Sequence, residues 1–219
     1  MDAAVGVHPH DAAKVDATDW AVVEAWARDE RVVAIGETGL DSDRMFSPWP
    51  DQLDNLRRNL ALALATGKPA ILHCRSKAGE RDAQDALVAE LQAAGFDGDA
   101  GRAAFGDRPS AVVHSFSGPV DYAGQMLAMG LAVSFSGLVF RKGEEASADA
   151  VTLVPPERLL VETDSPFLSP PGAPRGRNAP EWVAITARWA AGRRGVGEAE
   201  LGDALVPAYD ATFPRTVPR

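Results

Sequence analysis

A single cysteine, Cys74, occurs in the whole chain. No internal disulfide can form, and this usage fits a reducing cytosol. No run approaches the roughly 20 apolar residues of a membrane span. The N-terminus also lacks a basic segment followed by an apolar one, the mark of a secretion signal. These absences set a cytoplasmic protein without membrane attachment as the expectation. Positive charge is short as well: 22 Lys and Arg stand against 31 Asp and Glu, a net charge of −9. An acidic surface argues against nonspecific coating of nucleic acid. It leaves a nuclease open, because bound cations can supply positive charge locally. Low-complexity tracts are absent. The 219 residues with 46% hydrophobic content suffice for one large core, so a single domain over 1–219 is expected.

What the chain does contain is a series of short apolar runs, each ending in a side chain suited to a metal. Val32-Val33-Ala34-Ile35-Gly36-Glu37 ends in a carboxylate, and Pro69-Ala70-Ile71-Leu72-His73 in an imidazole. Ala111-Val112-Val113-His114 ends in a second imidazole, and Leu159-Leu160-Val161-Glu162-Thr163-Asp164 in a carboxylate. Runs of this length, rich in Val, Ile and Leu and separated by helix-length segments, read as buried parallel strands. In a parallel α/β protein the strand C-termini share one face, where residues distant in sequence can converge.

The order is strand, helix, strand throughout. Strands are expected at 3–7, 32–37, 70–74, 111–115, 131–136 and 158–163. A helix begins near Asp19 with Trp20, Val23 and Trp26 on one face. Another runs through Leu53, Leu56, Leu60 and Leu64 until Gly67-Lys68-Pro69 stops it. Further helices are expected over 79–94, 119–129, 145–153, 179–192 and 198–208. The segments 38–50, 95–110 and 165–174 read as loops. Six strand-helix units result, and a closed (β/α)₈ barrel needs eight. The chain enters its first apolar run with almost no lead-in. Either a smaller open sheet or a barrel lacking its N-terminal part would account for this.

Five segments together resemble the TatD family of metal-dependent deoxyribonucleases. They are Gly6-Val7-His8-Pro9-His10, Gly36-Glu37-Thr38-Gly39-Leu40-Asp41, Ile71-Leu72-His73-Cys74-Arg75, Val113-His114-Ser115-Phe116-Ser117-Gly118 and Glu162-Thr163-Asp164-Ser165-Pro166. Arg175-Gly176-Arg177-Asn178 is similar to the loop after that family's last strand. The resemblance implies a TIM-type (β/α) barrel carrying two divalent cations, with Mg, Mn or Zn as the candidate metals. Carried onto this sequence, Glu37 would bridge the ions and His73 with His114 would complete one site. Asp164 would ligate the other and help activate the attacking water. The mixture suits the chemistry, since a carboxylate offsets repulsion between two cations while neutral imidazoles fix geometry.

The family's first strand also carries a His-x-His pair, and no such pair precedes Gly6. His8-Pro9-His10 spells the pattern but follows Gly-Val, which places it in a later segment of the family, where His8 would line the pocket instead of binding metal. The expectation is therefore an N-terminally incomplete barrel, about six of eight units. Upstream coding for roughly 40–60 further residues is expected, enough for two strand-helix units.

Other residues keep two readings. Arg75 either holds a substrate phosphate through its planar fork or pairs with a nearby acid. Cys74 reads as a small packing residue, and Trp20, Trp26, Trp182 and Trp189 as helix packing. Arg175 and Arg177 fall where DNA phosphates could be contacted. Three functions remain open: a deoxyribonuclease with DNA as substrate, an ester or amide hydrolase such as an aminoacyl-tRNA deacylase, or an inactive fragment. Metal ligands alone do not separate the first two, because water activation is common to both.

Overall fold

The computed structural model describes residues 2–174 and 176–214. The chain divides into two compact units, one formed by residues up to Val112 together with the chain from Ala211, the other by Val113–Asp210. Among the described residues six strands alternate with helices, an α/β arrangement.

In the first unit, β1 (Ala3–Val5), β2 (Val32–Asp41) and β3 (Ala70–Arg75) pair in parallel, β2 between the other two. Two helices complete the crossovers, α1 (Ala17–Trp26) after β1 and α2 (Trp49–Thr66) after β2. Asp16 caps α1 by accepting from the N–H groups of Thr18 and Asp19, and Asp19 returns the bond, a capping box. Gly67 ends α2 in the left-handed conformation at φ 63°, as the Gly-Lys-Pro signal predicts. Leu56 and Leu60 are fully buried beneath α2. Trp20 is buried with the Arg58 guanidinium 4.2 Å above its ring, whereas Trp26 is 61% exposed and does not pack as expected.

After β3 come α3 (Asp82–Ala93) and α4 (Asp99–Phe105). The second corrects the reading of 95–110 as loop. Its Gly and Asp content masks a turn of helix held by buried Phe96 and Phe105, whose rings lie 5.7 Å apart. The strand β2 also runs four residues past its expected end, through Thr38-Gly39-Leu40-Asp41. The glycine and polar residues there hide a strand that is buried almost throughout.

The strand β4 (Ala111–Val113) lies at the division. The second unit holds α5 (Val120–Ala128), β5 (Ala132–Phe135), α6 (Glu145–Asp149), β6 (Leu159–Val161) and α7 (Val183–Arg194). The last helix, α8 (Glu198–Thr212), follows. The strands β5 and β6 pair in parallel in the register Val133↔Leu159 to Phe135↔Val161. Tyr122, Phe116 and Phe135 are fully buried in this unit. No helix among the described residues is long and apolar enough to cross a membrane.

Candidate metal centre

Glu37 owes its position to an irregularity in β2. Between Ile35↔Ala70 and Thr38↔Leu72 the strand β2 advances three residues while β3 advances two. Such a bulge re-aims the side chain of the extra residue and sharpens the local twist. Gly39 then allows the strands to close. Its φ is 143°, and a Cβ there would stand 1.9 Å from the His73 carbonyl oxygen, a position only glycine tolerates. On β3 the alternation buries Leu72 and Cys74 and leaves Ile71, His73 and Arg75 on the half-buried side.

Four charged or imidazole groups gather around His73. Its Nδ1 lies 2.9 Å from Glu37 Oε1, and its Nε2 lies 3.1 Å from Asp41 Oδ2. His8 Nε2 reaches the same Glu37 oxygen at 3.2 Å, and His10 Nε2 reaches Asp41 Oδ2 at 2.7 Å. The three rings stand 4.3 to 5.7 Å apart, edge to face. His8, His10 and His73 each present a ligand atom within 4.8 Å of the others. This corrects the expectation that His8-Pro9-His10 only lines the pocket and supplies nothing to a metal. The motif stands inside the imidazole cluster.

The cluster is held from behind by polar groups of α2. Gln52, fully buried, accepts from the Asp41 N–H at 2.8 Å and donates to the Asp41 and Ser47 carbonyls at 3.1 and 2.9 Å. Asn55 donates to the Val7 carbonyl at 2.8 Å, and the Val7 N–H approaches Asn59 Oδ1 at 3.4 Å. The backbone on either side of the cluster is thus pinned to one helix face. His8 also caps the 3-10 turn Pro9–Asp11, its Nδ1 accepting from the His10 N–H at 3.1 Å. A neutral ring with Nδ1 accepting carries its proton on Nε2, so His8 donates to Glu37 in that state.

Burial opposes ionisation of Asp41, which is 1% exposed. Hydrogen bonds from His73, the Arg44 N–H and His10 outweigh it and hold the carboxyl well below the usual carboxylate range. Burial lowers the pKa of His10, aided by the nearby His8 and His73 and opposed by Asp41. Anionic Asp41 and a neutral His10 are the protonation states a cation requires.

In the second unit His114 follows β4 directly, and its Nδ1 lies 2.9 Å from Glu162 Oε1. Glu162 also accepts from the Ser115 N–H at 2.6 Å and the Ser134 hydroxyl at 2.9 Å. A carboxylate placed on one nitrogen of an imidazole fixes its tautomer and ring orientation, as metal-ligating histidines require. Asp164 lies two residues beyond Glu162, half-buried, at φ 55°, with its carbonyl accepting from the Phe167 N–H at 2.8 Å. Arg177 is exposed and Arg175 lies outside the described residues.

Two ligands of a tetrahedral ion, each about 2.1 Å from it, stand about 3.4 Å apart. The imidazole and carboxylate atoms of the first unit lie 2.7 to 3.2 Å from one another. These pairs are closer than that and are hydrogen bonds. The spacing that suits a shared cation is that of His8, His10 and His73, whose ligand atoms lie within 4.8 Å of one another, and nitrogen donors of this kind suit Zn, Mn, Fe or Co.

Residues 1–214 match the family model for TatD related DNase. The chain belongs to that family. A TatD exonuclease of Erwinia billingiae, named as acting 3′-5′ on single-stranded DNA and RNA, is 35% identical over 203 residues, covering 90% of this chain and 71% of its own length. A Bacillus subtilis protein named YabD, described as an uncharacterized metal-dependent hydrolase, is 34% identical over 185 residues, covering 84% of this chain. The chain spans 66% of YabD's length. Among solved structures, the TatD homolog YJJV of Escherichia coli matches 99% of this chain and 77% of its own, with TM-score 0.80 and 26% identity. The fold is therefore that of TatD proteins over nearly its full described length.

Within this TatD chain the sequence-derived ligands Glu37 and His73 meet directly, and Asp164 stands in none of the ligand-spaced groups among the described residues. Arg75 donates to Asp43 at 2.9 Å, the acid-pairing alternative. Cys74 is buried, as expected of a packing residue. Three participants escaped the sequence reading: His10, Asp41 and Glu162. A signal for one was available. Residues 37, 39 and 41 of a strand share a face, so Asp41 belongs beside Glu37.

Proposed function

We propose that this chain is a metal-dependent hydrolase that cleaves phosphodiester bonds of single-stranded DNA, within a TIM-type barrel of which it forms a single cytoplasmic domain. The observation that carries the reading is the cluster of His8, His10 and His73 with the carboxylates of Glu37 and Asp41 in the first unit. The names of its TatD relatives, single-strand exonucleases among them, support the choice of substrate.

In this reading Glu37, His73, His114 and Asp164 serve as ligands of two divalent cations. When bound, such cations supply Lewis-acid activation of water and of the phosphoryl group. The chain's own residues do the rest. Asp41 holds His73 and His10 in orientation from a buried position, and Glu162 does the same for His114. Asp164 accepts the proton of the attacking water, and Glu37 acts with it as the second catalytic carboxylate. His8 and His10 would offer further imidazole ligands beside His73. Arg75 and Arg177 bind substrate phosphates, Arg75 by exchanging Asp43 for the substrate.

The test is cleavage of a labelled single-stranded oligodeoxynucleotide with added Mn or Mg, set beside hydrolysis of an aminoacyl ester. Cleavage of the oligonucleotide abolished by EDTA supports the reading. Ester hydrolysis alone assigns the same residues to the second enzyme class, and neither activity assigns the chain to an inactive form.

A further inference from the structure

A cavity of about 420 Å³ lies wholly within the second unit, between the segment after β5 and the face of α7. Its size falls in the range of small-ligand sites. Phe140 and Trp189 form one wall, their rings 6.0 Å apart at 71° and both half-buried. Trp189 is fixed in turn by Phe135, whose ring lies 6.1 Å away. Aromatic faces kept open in this way, and held rigid by a buried neighbour, are suited to stacking against a planar ligand.

The charged residues around that wall are unequal in their attachments. Arg193 is neutralised by an ion pair with Asp149. Glu145 is exposed and accepts from the Gly143 N–H at 3.2 Å. Arg141 and Lys142 are exposed, and among the described residues no hydrogen bond or ion pair engages either side chain. Two unpaired cations thus flank two open aromatic rings in a chain whose net charge is −9. A solvated surface face would call for neither the cavity nor the aromatic wall. The combination matches a nucleotide: a base has a face to stack, and its phosphate is held by a guanidinium and an ammonium.

We propose that this cavity binds one nucleotide unit of a single-stranded nucleic acid, the base against Phe140 and Trp189 and the phosphate between Arg141 and Lys142. The site goes beyond the hydrolytic reading and does not require the metal ligands.

Binding of a fluorescein-labelled ten-residue oligothymidylate is measured by anisotropy in EDTA at several salt concentrations, so that no hydrolysis intrudes. The double variant Arg141→Ala/Lys142→Ala is expected to bind about tenfold more weakly. Its slope of log affinity against log salt should fall by about 0.7, the value for one phosphate contact on a single strand. Phe140→Ala is expected to weaken binding by about tenfold while leaving that slope unchanged. The melting temperature of the double variant should equal that of wild type, because both side chains are exposed. Unchanged affinity and slope in the double variant overturn the proposal, and so does equal competition by inorganic polyphosphate of matched charge, which has no base to stack. Wild-type binding in EDTA without cleavage after Mn is restored counts against the hydrolase reading and leaves this site standing.

Discussion

The Nδ1 of His114 and the Oε1 of Glu162 lie 2.9 Å apart, each at the end of a different strand. Glu162 also accepts from the Ser115 N–H and the Ser134 hydroxyl, which fix its position, so it acts as an orienting carboxylate. Replacing it by Gln keeps the shape and removes the charge. Glu162→Gln is expected to lower metal affinity by about 10- to 100-fold, read by calorimetric titration with Zn or Mn. Unchanged affinity would show that His114 needs no such partner.

Gln52 acts on the other unit's cluster through the backbone. Truncation to Ala would strand the buried Asp41 N–H and the Ser47 carbonyl. Gln52→Ala should cost about 1–3 kcal/mol in urea unfolding and should also weaken metal binding, since Asp41 loses its anchor. Loss of stability with metal affinity intact would confine Gln52 to a packing role.

Gly39 permits the approach of β2 to β3. Gly39→Ala places a methyl group against the His73 carbonyl in a backbone conformation that L side chains rarely adopt. A loss of about 3 kcal/mol is expected, visible as a lower urea midpoint or as insoluble protein. A midpoint equal to wild type would contradict the register described for these strands.

Asp16 allows a test of pH dependence away from the cluster. Hydrogen bonds from the Asp19 and Thr18 N–H groups lower its carboxyl pKa below the ordinary 3.8. A depressed folded pKa means that the unfolded chain binds the proton first. The stabilisation is therefore present above the unfolded value and is lost as pH falls through the folded one. Asn caps as well as Asp but does not titrate. Asp16→Asn should match wild type in melting temperature at neutral pH and lose stability less steeply on acidification below about pH 4. Parallel acid profiles would remove the cap from the account.

Much of this structure is legible in the sequence, and the illegible parts have physical reasons. The strands that carry Glu37 and His73, and the one that leads into His114, follow from apolar runs closed by a polar residue, because buried parallel strands read as continuous apolar runs. The C-terminal half of β2 was hidden by Thr38 and Gly39, which look like a turn but serve a close strand contact. The helix α4 was hidden by Gly98, Gly101 and Gly106 around its two buried phenylalanines. His10 and Asp41 are 31 residues apart, and only the fold brings them within hydrogen-bond distance. The polar face of α2, with Gln52, Asn55 and Asn59 buried, contradicts the usual rule that polar residues face water. It becomes intelligible once the backbone it holds is seen to carry the cluster.

The most direct test of the central claim is the metal content of purified wild type and His73→Ala, measured by inorganic mass spectrometry after equilibration with Zn or Mn. His73 touches both carboxylates and is shared by the ligand cluster of the first unit. Wild type should retain at least one ion per chain that EDTA removes, and His73→Ala should retain none in the same buffer. Equal metal content in the two proteins, or none in wild type, would contradict the assignment of this cluster as a metal centre.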